Sequence, residues 1–296
     1  MCLIAFAIDA SQRWPLVIAS NRDEFLSRPT LPLARWQTAS GREIISGRDL
    51  RAGGTWLGMT PCGRVAFLTN VREAEPKTAL LSRGELVTRW LETRGDAACF
   101  LAALKKDCGA YGGFNLVLGD FKRNAWAWVT NKSTATVSGW QVQALEPGVY
   151  GLSNAALDTP WPKTMELKQV LAAALTEQAD GHDLKALQTS LWMALANRER
   201  APRGKLPATG VSIAMEEALS SAFVDFPEHA YGTRNSTVLV ASGKESGGNA
   251  QRWEFQVEER THLRKGKNAM AETCIDATAS TSLKFSFSGA RVGLAA

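Results

Sequence analysis

The 296-residue sequence has few of the residues that usually mark metal-binding or disulfide-stabilised proteins. It contains five cysteines and three histidines, and no CxxC, Cys-His or His-x-x-x-His spacing joins them. A structural or catalytic zinc site is therefore not predicted. The cysteines are odd in number and far apart, which favours reduced thiols and a cytoplasmic location.

Long hydrophobic runs and clustered charge are also missing. No stretch of about 18 apolar residues occurs, so a transmembrane segment is not predicted. The opening MCLIAFAID lacks a positively charged segment and reaches Asp9 too soon for a secretory signal. The net charge is +5, but basic residues are mixed with acids, as in REAEPK, so nucleic-acid binding is not predicted. The sequence does not set an oligomeric state.

What the sequence does have is strand-like and helical segments in successive blocks. Apolar runs predict an antiparallel meander over the first third, two helices in SRGELVTRWLETRG and DAACFLAALKKDCG, and then three strands, two further helices and a closing hairpin. SRPTLPLARW is predicted to be irregular because of its prolines. This order indicates an α+β fold in which helices cover two stacked antiparallel sheets.

Residues 1–264 are predicted to form one domain. Residues 265–296 are rich in small and polar residues with little periodicity, and we predict a loosely ordered C-terminal tail.

Cys2 directly follows the initiator methionine at the head of an apolar run. Aminopeptidases generally remove Met1 when the next side chain is small, and the chain would then begin with a thiol and a free α-amine on one residue. The amine titrates near ~8 and the thiol near ~8.5 in free peptides, so the amine can act as the base for its own nucleophile. The alternative is that Cys2 is a small hydrophobic residue that starts a strand.

Four polar residues in SNRDEF follow the second apolar strand. In extended chain Arg22 and Glu24 share one face, and Asn21 and Asp23 share the other. An arginine beside a thiol favours the thiolate and can bind a substrate carboxylate, and an aspartate near the α-amine could orient it. A salt-bridged strand end is the alternative interpretation.

Two asparagines and one arginine lie at comparable strand ends. Asn70 ends FLTN and Asn154 ends YGLSN, where side-chain amides could donate to an oxyanion or could simply form turns. Arg234 starts a late apolar strand and is either an edge charge or part of a cleft.

The segment RAGGTW does not match a phosphate-binding loop, because it lacks the GxGxxG spacing and no strand-to-helix context surrounds it. Its glycines are predicted to allow a tight backbone passage before a strand. Trp56 packs in the core or lines a pocket.

Five separated motifs resemble the NRDE family, also called the transport and Golgi organisation protein 2 family. They are MCLIAF, SNRDEF, GRDLRAGGTWLGM with GRVAFLTNVRE, GLSNAALDTPWPK and YGTRNSTVL. That family in turn resembles N-terminal nucleophile hydrolases of the choloylglycine hydrolase and penicillin V acylase type. The resemblance implies a four-layer αββα sandwich and amidase activity on linear C–N bonds, with no cofactor.

The resemblance also implies roles for individual residues. Cys2 matches the nucleophile, Asn70 and Asn154 match asparagines placed around the oxyanion, and Arg234 matches an arginine near the start of a late strand. The hydrolases separate an arginine and an aspartate by three positions, whereas Arg22 and Asp23 are adjacent here. Glu24 is therefore an alternative counterpart of the acid.

A non-enzymatic carrier is the competing hypothesis. The family has been linked to haem trafficking and to acyl-CoA and lipid handling, so the ligand is either a small-molecule amide or a haem or acyl group. No CxxCH motif is present, which excludes covalent attachment of haem through that motif.

Overall fold

The computed structural model describes residues 2–75, 78–177, 183–246, 250–264 and 275–290. Their strands and helices, in chain order, are β1 (Cys2–Ile8), β2 (Leu16–Phe25), β3 (Thr30–Gln37), β4 (Glu43–Asp49), β5 (Leu57–Met59), β6 (Arg64–Asn70), α1 (Gly84–Glu92), α2 (Ala97–Asp107), β7 (Phe114–Asp120), β8 (Ala125–Thr130), β9 (Gln141–Ala144), β10 (Gly148–Leu152), α3 (Pro162–Glu177), α4 (Leu184–Leu195), α5 (Ile213–Ala218), β11 (Asp225–Phe226), β12 (Tyr231–Ser246), β13 (Ala250–Arg264) and β14 (Ile275–Ala290).

These strands form two antiparallel sheets. The first has the order β10-β1-β2-β12-β13-β14, with the short β11 paired to β12. The second is a meander in which β3 to β9 lie side by side in chain order. Strand β1 is therefore an interior strand of its sheet, with β2 on one side and β10 on the other.

Three hydrophobic cores separate four layers. One lies between the two sheets, a second lies between the first sheet and helices α3 and α4, and a third lies between the second sheet and helices α1 and α2. The fold is thus α+β, a four-layer αββα sandwich, as predicted. No helix in the described ranges is long and apolar enough to span a membrane.

The continuous apolar run of β1 follows from this layering. Ile4, Phe6 and Ile8 point into the core between the sheets, whereas Leu3, Ala5 and Ala7 point towards the helices. A strand with two buried faces has no solvent side, so polar alternation is lost. Burial of each large side chain stabilises the fold by about 1.5–3 kcal/mol. The first strand is therefore fixed firmly up to its first residue.

The predicted helices are present, and aspartates cap two of them. The Asp96 carboxylate accepts a hydrogen bond from the Cys99 amide at the start of α2, and Asp183 accepts one from Ala186 at the start of α4. Such N-caps satisfy backbone amides that the helix itself leaves open.

The prediction of irregular chain for SRPTLPLARW is wrong, since Thr30–Gln37 forms β3. Pro32 lies within it, and the pairing with β4 shifts register between Leu31 and Ala34. Because β3 is at the edge of its sheet, a residue without an N–H donor is tolerated there. Strands β4, β9 and β11 and helix α5 were also not predicted.

The tail prediction is wrong for residues 275–290, which form β14 and pair with β13 along its length. Phe287 is 9% exposed and lies in the core between the sheets, with Leu283 and Phe285 packed against that core. In SLKFSFS, apolar and polar residues alternate, which is the pattern of a strand with one buried face. Residues 265–274, with Cys274, and residues 291–296 lie outside the described ranges.

Candidate active site

Cys2 and Arg22 lie opposite each other on neighbouring strands. They are register partners in the antiparallel pair β1–β2, so their side chains leave the same face of the sheet. On the other side of β1, the Ser153 hydroxyl, which follows β10, donates a hydrogen bond to the Cys2 carbonyl at 3.1 Å. The start of the chain is held from both neighbouring strands.

Cys2 lines a cavity of about 470 Å³. The wall is built from the ends of β2 and β6, the segment between β4 and β5, and the chain that enters α1. Its polar and large apolar side chains include Arg22, Asp23, Glu24, Arg28, Asp49, Arg51, Thr55, Trp56, Leu68, Asn70, Glu73, Leu80 and Arg83. Four of the six predicted site residues, namely Cys2, Arg22, Asp23 and Asn70, therefore meet at one cavity.

The Cys2 sulfur lies in an environment that holds it as a thiol. Burial raises the pKa of the Cys2 thiol and the Asp23 carboxylate raises it further, whereas the Arg22 guanidinium and a hydrogen bond from the Asp23 backbone amide lower it. The net shift of the pKa is upwards, so removal of the thiol proton needs a base.

Arg22 is 5% exposed and lies against the opposite sheet. Its guanidinium carbon is 4.2 Å from the centre of the Trp56 ring, and its Nη1 donates to Thr30 at 3.2 Å. Asn21, one residue earlier, points the other way and donates to the carbonyls of Leu195 and Ala222. The predicted alternation of faces in SNRDEF is confirmed.

Asp23 and Glu24 occupy different environments. Asp23 is 1% exposed, and its Oδ1 accepts a hydrogen bond from the Thr233 hydroxyl at 2.7 Å. Burial raises the pKa of Asp23, and the Lys163 ammonium opposes that shift. Glu24 lies at the cavity rim, with Oε2 at 3.8 Å from Arg22 and 3.7 Å from Arg28. Of the two acids, Asp23 is the one whose charge raises the pKa of the Cys2 thiol.

Lys163, at the start of α3, was not predicted as a site residue. It is 3% exposed, and its ammonium donates to the Leu219 carbonyl at 2.7 Å. Burial lowers the pKa of Lys163 to about 8, while Asp23 acts in the opposite direction. The only signal in the sequence is that the residue ends the motif GLSNAALDTPWPK. Lys163 therefore places a buried cation on the side of Asp23 that faces the helices.

The two asparagines have different positions. Asn70 lies on the cavity wall, and its side-chain amide makes no hydrogen bond within the described chain. Asn154 is 1% exposed and does not line the cavity; its Nδ2 donates to the Asn70 carbonyl at 2.8 Å. Asn154 therefore holds the backbone of Asn70 rather than facing the cavity.

Arg234 also does not line the cavity in the described part of the chain. Its Nη1 donates to the carbonyls of Phe25, Leu26 and Arg28, with distances of 3.0, 2.7 and 3.2 Å. Those carbonyls form the corner after β2. Of the two interpretations given above, the structure supports a structural charge that fixes this corner, and through it the position of Arg28.

The glycines of RAGGTW allow a close backbone passage, as predicted. Gly53 has a φ of +75°, and a Cβ on Gly54 would lie 2.4 Å from the carbonyl carbon and oxygen of Gly84. Contact of this kind is open only to glycine. The passage fixes the start of α1, and with it Arg83, against the cavity.

Comparison with known proteins places the chain in a family. The family model described as Transport and Golgi organisation 2 matches residues 1–258. The chain belongs to this family. Within the described ranges, no group of three or more His, Cys, Asp or Glu side chains is placed to hold a metal ion.

Curated relatives agree with this assignment. The chain is 33% identical over 251 residues to the human Transport and Golgi organization protein 2 homolog, which covers 81% of this chain and 88% of the human protein. The Drosophila melanogaster Transport and Golgi organization protein 2 is 32% identical over 263 residues, with coverage of 82% and 88%.

Among solved structures, the C2A mutant of conjugated bile acid hydrolase from Clostridium perfringens aligns with a TM-score of 0.49 at 10% identity, over 96% of this chain and 97% of that chain. An N-acylethanolamine-hydrolyzing acid amidase ortholog from Caenorhabditis elegans aligns with a TM-score of 0.36 at 11% identity, over 64% and 85%. At these values neither structure bears on the chemistry of this chain.

Proposed function

We propose that the chain is an N-terminal-cysteine amidohydrolase that cleaves linear C–N amide bonds. The observation that supports this is that Cys2 lines a cavity together with Arg22, its cross-strand partner, and with Asp23 and Asn70. A thiol, a cation, an acid and an amide donor at one cavity are the groups that nucleophilic acyl transfer requires. Because the mechanism needs Cys2 as a reduced thiol, the proposal includes a reducing, cytoplasmic location.

The reaction starts once Met1 is removed. The liberated α-amine of Cys2 takes the thiol proton, and the sulfur attacks the amide carbon, so that an S–C bond forms and an electron pair moves to the carbonyl oxygen. The ammonium then protonates the leaving nitrogen, and the C–N bond breaks to give a thioester. Water hydrolyses the thioester with the amine again as base.

Each predicted site residue has a role in this scheme. Asn70 donates to the developing oxyanion, and Asn154 orients it through the hydrogen bond to its carbonyl. Arg22 stabilises the thiolate as it forms, since its charge lowers the pKa of Cys2. Asp23 orients the ammonium form of the amine. Arg234 fixes the corner after β2.

The carrier hypothesis has less support. Charged side chains outnumber large apolar ones along the wall, whereas pockets for apolar ligands are lined mainly by hydrophobic groups. No histidine from the described part of the chain lines the cavity, which leaves Cys2 as its one described sulfur or imidazole ligand. These residues do not fit haem well. A titration with micromolar haem tests the haem form of the carrier hypothesis, and the lack of a shifted Soret band counts against that form.

An intact-mass measurement tests the amidohydrolase. We expect the purified protein to lack Met1, and we expect a thiol-selective acylating probe to add one acyl group to Cys2. A protein that retains Met1 has no free amine next to the thiol. Retention of Met1 together with unlabelled Cys2 excludes the proposed mechanism.

A further inference from the structure

Two oppositely charged side chains are buried between the first sheet and the helices that cover it. Asp23 is 1% exposed and leaves β2 on the same face as Asn21, whose amide reaches the carbonyls of Leu195 and Ala222. Lys163 is 3% exposed and lies in the first turn of α3. A buried charge is unfavourable unless hydrogen bonds or an opposite charge compensate it, so each of these groups needs a partner.

The segment between α5 and β11 holds both side chains in place. Lys163 Nζ donates to the Leu219 carbonyl at 2.7 Å, near the start of this segment. At its end, Val224 and Thr233 exchange two hydrogen bonds, each 2.9 Å long. The Thr233 hydroxyl in turn donates to Asp23 Oδ1 at 2.7 Å. The ammonium and the carboxylate are therefore fixed through the same short piece of chain.

Two further buried charges nearby form a pair of their own. The Arg72 guanidinium makes an ion pair with Glu216, and its central carbon lies 4.7 Å from the centre of the Trp161 ring. Glu216 also accepts hydrogen bonds from the backbone amide and the hydroxyl of Thr209. Because Arg72 and Glu216 balance each other, Lys163 is the cation whose charge is left to act on Asp23.

The electrostatics of the two groups agree with this arrangement. Burial raises the pKa of Asp23, and the Lys163 ammonium is the strongest influence in the opposite direction. Burial lowers the pKa of Lys163 to about 8, and the Asp23 carboxylate is the strongest influence in the opposite direction. Buried charges are screened only weakly, so this attraction does not depend on direct contact. The other titratable or charged groups that act on one or both of them are Cys2 on β1, Arg72 after β6, Glu216 on α5 and Tyr231 on β12.

The proposed mechanism needs Asp23 as a carboxylate, because the ionised form is the one that orients the ammonium formed by the Cys2 amine. We propose that Lys163 is a positioning residue that keeps Asp23 ionised beside the Cys2 amine. This inference rests on the proposed amidohydrolase function. Lys163 is not among the residues of the described chain that line the cavity, so it acts through Asp23 and not on the substrate.

The titration of Asp23 tests this role. In protein labelled with carbon-13 at the aspartate carboxyl groups, NMR follows each carboxyl against pH, and the Asp23 signal is the one that Asp23→Asn removes. Lys163→Met should raise the midpoint of the Asp23 titration by about one pH unit or more, because the main opposing cation is lost. Lys163→Arg, which keeps the charge, should change the midpoint much less. An unchanged midpoint in a correctly folded Lys163→Met protein overturns the proposal.

Lys168→Met is the matched control for this titration. Lys168 lies on the same helix, but its ammonium contacts Asp158 at 2.7 Å. We therefore expect the midpoint of the Asp23 titration to stay at its wild-type value in this variant.

The reverse titration does not require the Lys163→Met protein to fold. In protein labelled with carbon-13 at the lysine Cε, Lys163 should titrate near pH 8 in the wild type. In Asp23→Asn its midpoint should fall by about one pH unit, because the carboxylate that favours the charged form is gone. The same midpoint in both proteins would show that the two groups do not act on each other, and it would overturn the proposal.

Turnover separates this inference from the proposed function. At neutral pH, Lys163→Met should lower kcat/KM about as much as Asp23→Asn does, by about tenfold or more. The double variant should be no slower than Asp23→Asn alone, because residues that act as a unit are not additive. Losses that multiply in the double variant would mean that Lys163 does not act through Asp23. If the wild type cleaves no amide but both titrations shift as expected, the hydrolase proposal fails and the control of Asp23 by Lys163 stands.

Discussion

Cys2 and Arg22 are cross-strand partners on two interior strands of a seven-stranded sheet. Because both side chains leave the same face, the thiol and the guanidinium are brought together by backbone register alone. A shift of one residue between β1 and β2 would move Asn21 or Asp23 to this position and would turn Arg22 towards the helices. The buried faces of both strands exclude such a shift.

Cys2→Ala should abolish amide turnover, with kcat lower by about a thousandfold or more, because the nucleophile is lost and the rest of the cavity is kept. Cys62→Ala is the matched control, since Cys62 is an exposed thiol that does not line the cavity. The measurement is kcat for the same amide panel with both variants, together with labelling by the acylating probe. Turnover by Cys2→Ala at the wild-type rate would reject the assignment.

Asp23→Asn and Glu24→Gln distinguish the two acids of SNRDEF. The Asp23 carboxylate raises the pKa of the Cys2 thiol, so its removal should move the pH midpoint of Cys2 alkylation downwards while amide turnover falls. Glu24→Gln should leave that midpoint unchanged, because the Glu24 carboxylate pairs with Arg22 and Arg28 at the rim. The measurement is the rate of iodoacetamide labelling against pH. The reverse pattern would make Glu24 the functional acid.

Local sequence was sufficient for the elements that carry the nucleophile. The apolar runs of β1 and β2 and the alternation of faces in SNRDEF predicted which side chains share a surface, because side-chain period in a strand is fixed at two. The caps at Asp96 and Asp183 could be read from single residues before apolar runs. These features depend on neighbours in the chain.

Features that depend on distant segments could not be predicted in this way. Lys163 and Arg83 begin helices far from SNRDEF, and nothing next to them in the sequence indicates that they reach the Asp23 or Cys2 side of the fold. Asn154 ends a strand as expected, but its amide is used by the Asn70 carbonyl, which only the pairing of distant loops determines. The prolines near β3 concealed a strand because edge strands tolerate them.

Phe287→Ala tests whether β14 is part of the folded domain. The Phe287 ring stacks on Trp253 with centroids 5.0 Å apart, and it covers Gly63, where a Cβ would lie 2.3 Å from the ring. Its truncation should lower the free energy of unfolding by about 3 kcal/mol, because a buried aromatic is replaced by a cavity. Ser282→Ala, on the exposed face of the same strand, should cost less than about 0.5 kcal/mol. Urea denaturation measures both, and equal stability of the two variants would show that β14 does not pack.

Gly54→Ala tests the close passage that fixes the start of α1. The added Cβ would lie 2.4 Å from backbone atoms of Gly84, which cannot move without displacing the helix. We expect a loss of stability of about 1–3 kcal/mol. Gly109→Ala is the control, because a Cβ there meets no atom within 4 Å. Thermal unfolding of the two variants gives the comparison. A Gly54→Ala variant as stable as the wild type would show that Gly54 and Gly84 do not pack this closely.

Glu259→Gln tests a buried acid behind Arg22. Glu259 is 2% exposed, and its Oε1 accepts a hydrogen bond from the Leu33 amide at 2.8 Å. Burial raises the pKa of Glu259 from 4.5 to about 7, although the Leu33 amide, Arg22 and Asn235 oppose the shift. The folded protein then binds this proton more tightly than the unfolded chain does, so the free energy of unfolding should fall as pH rises from about 4.5 to about 7.

Glutamine keeps an oxygen that can accept the hydrogen bond from Leu33, but it cannot ionise. The free energy of unfolding of the variant should therefore not fall over this pH range. Relative to wild type it should gain stability between pH 4.5 and pH 8, by at most about 3 kcal/mol for a shift of this size. Glu258→Gln, next to it on β13 and 21% exposed, should show little change because water already solvates its charge. Urea unfolding of the three proteins at both pH values gives the comparison. A Glu259→Gln variant that follows the wild-type pH dependence would mean that Glu259 is ionised in the folded protein at the lower pH, with its charge balanced by Arg22.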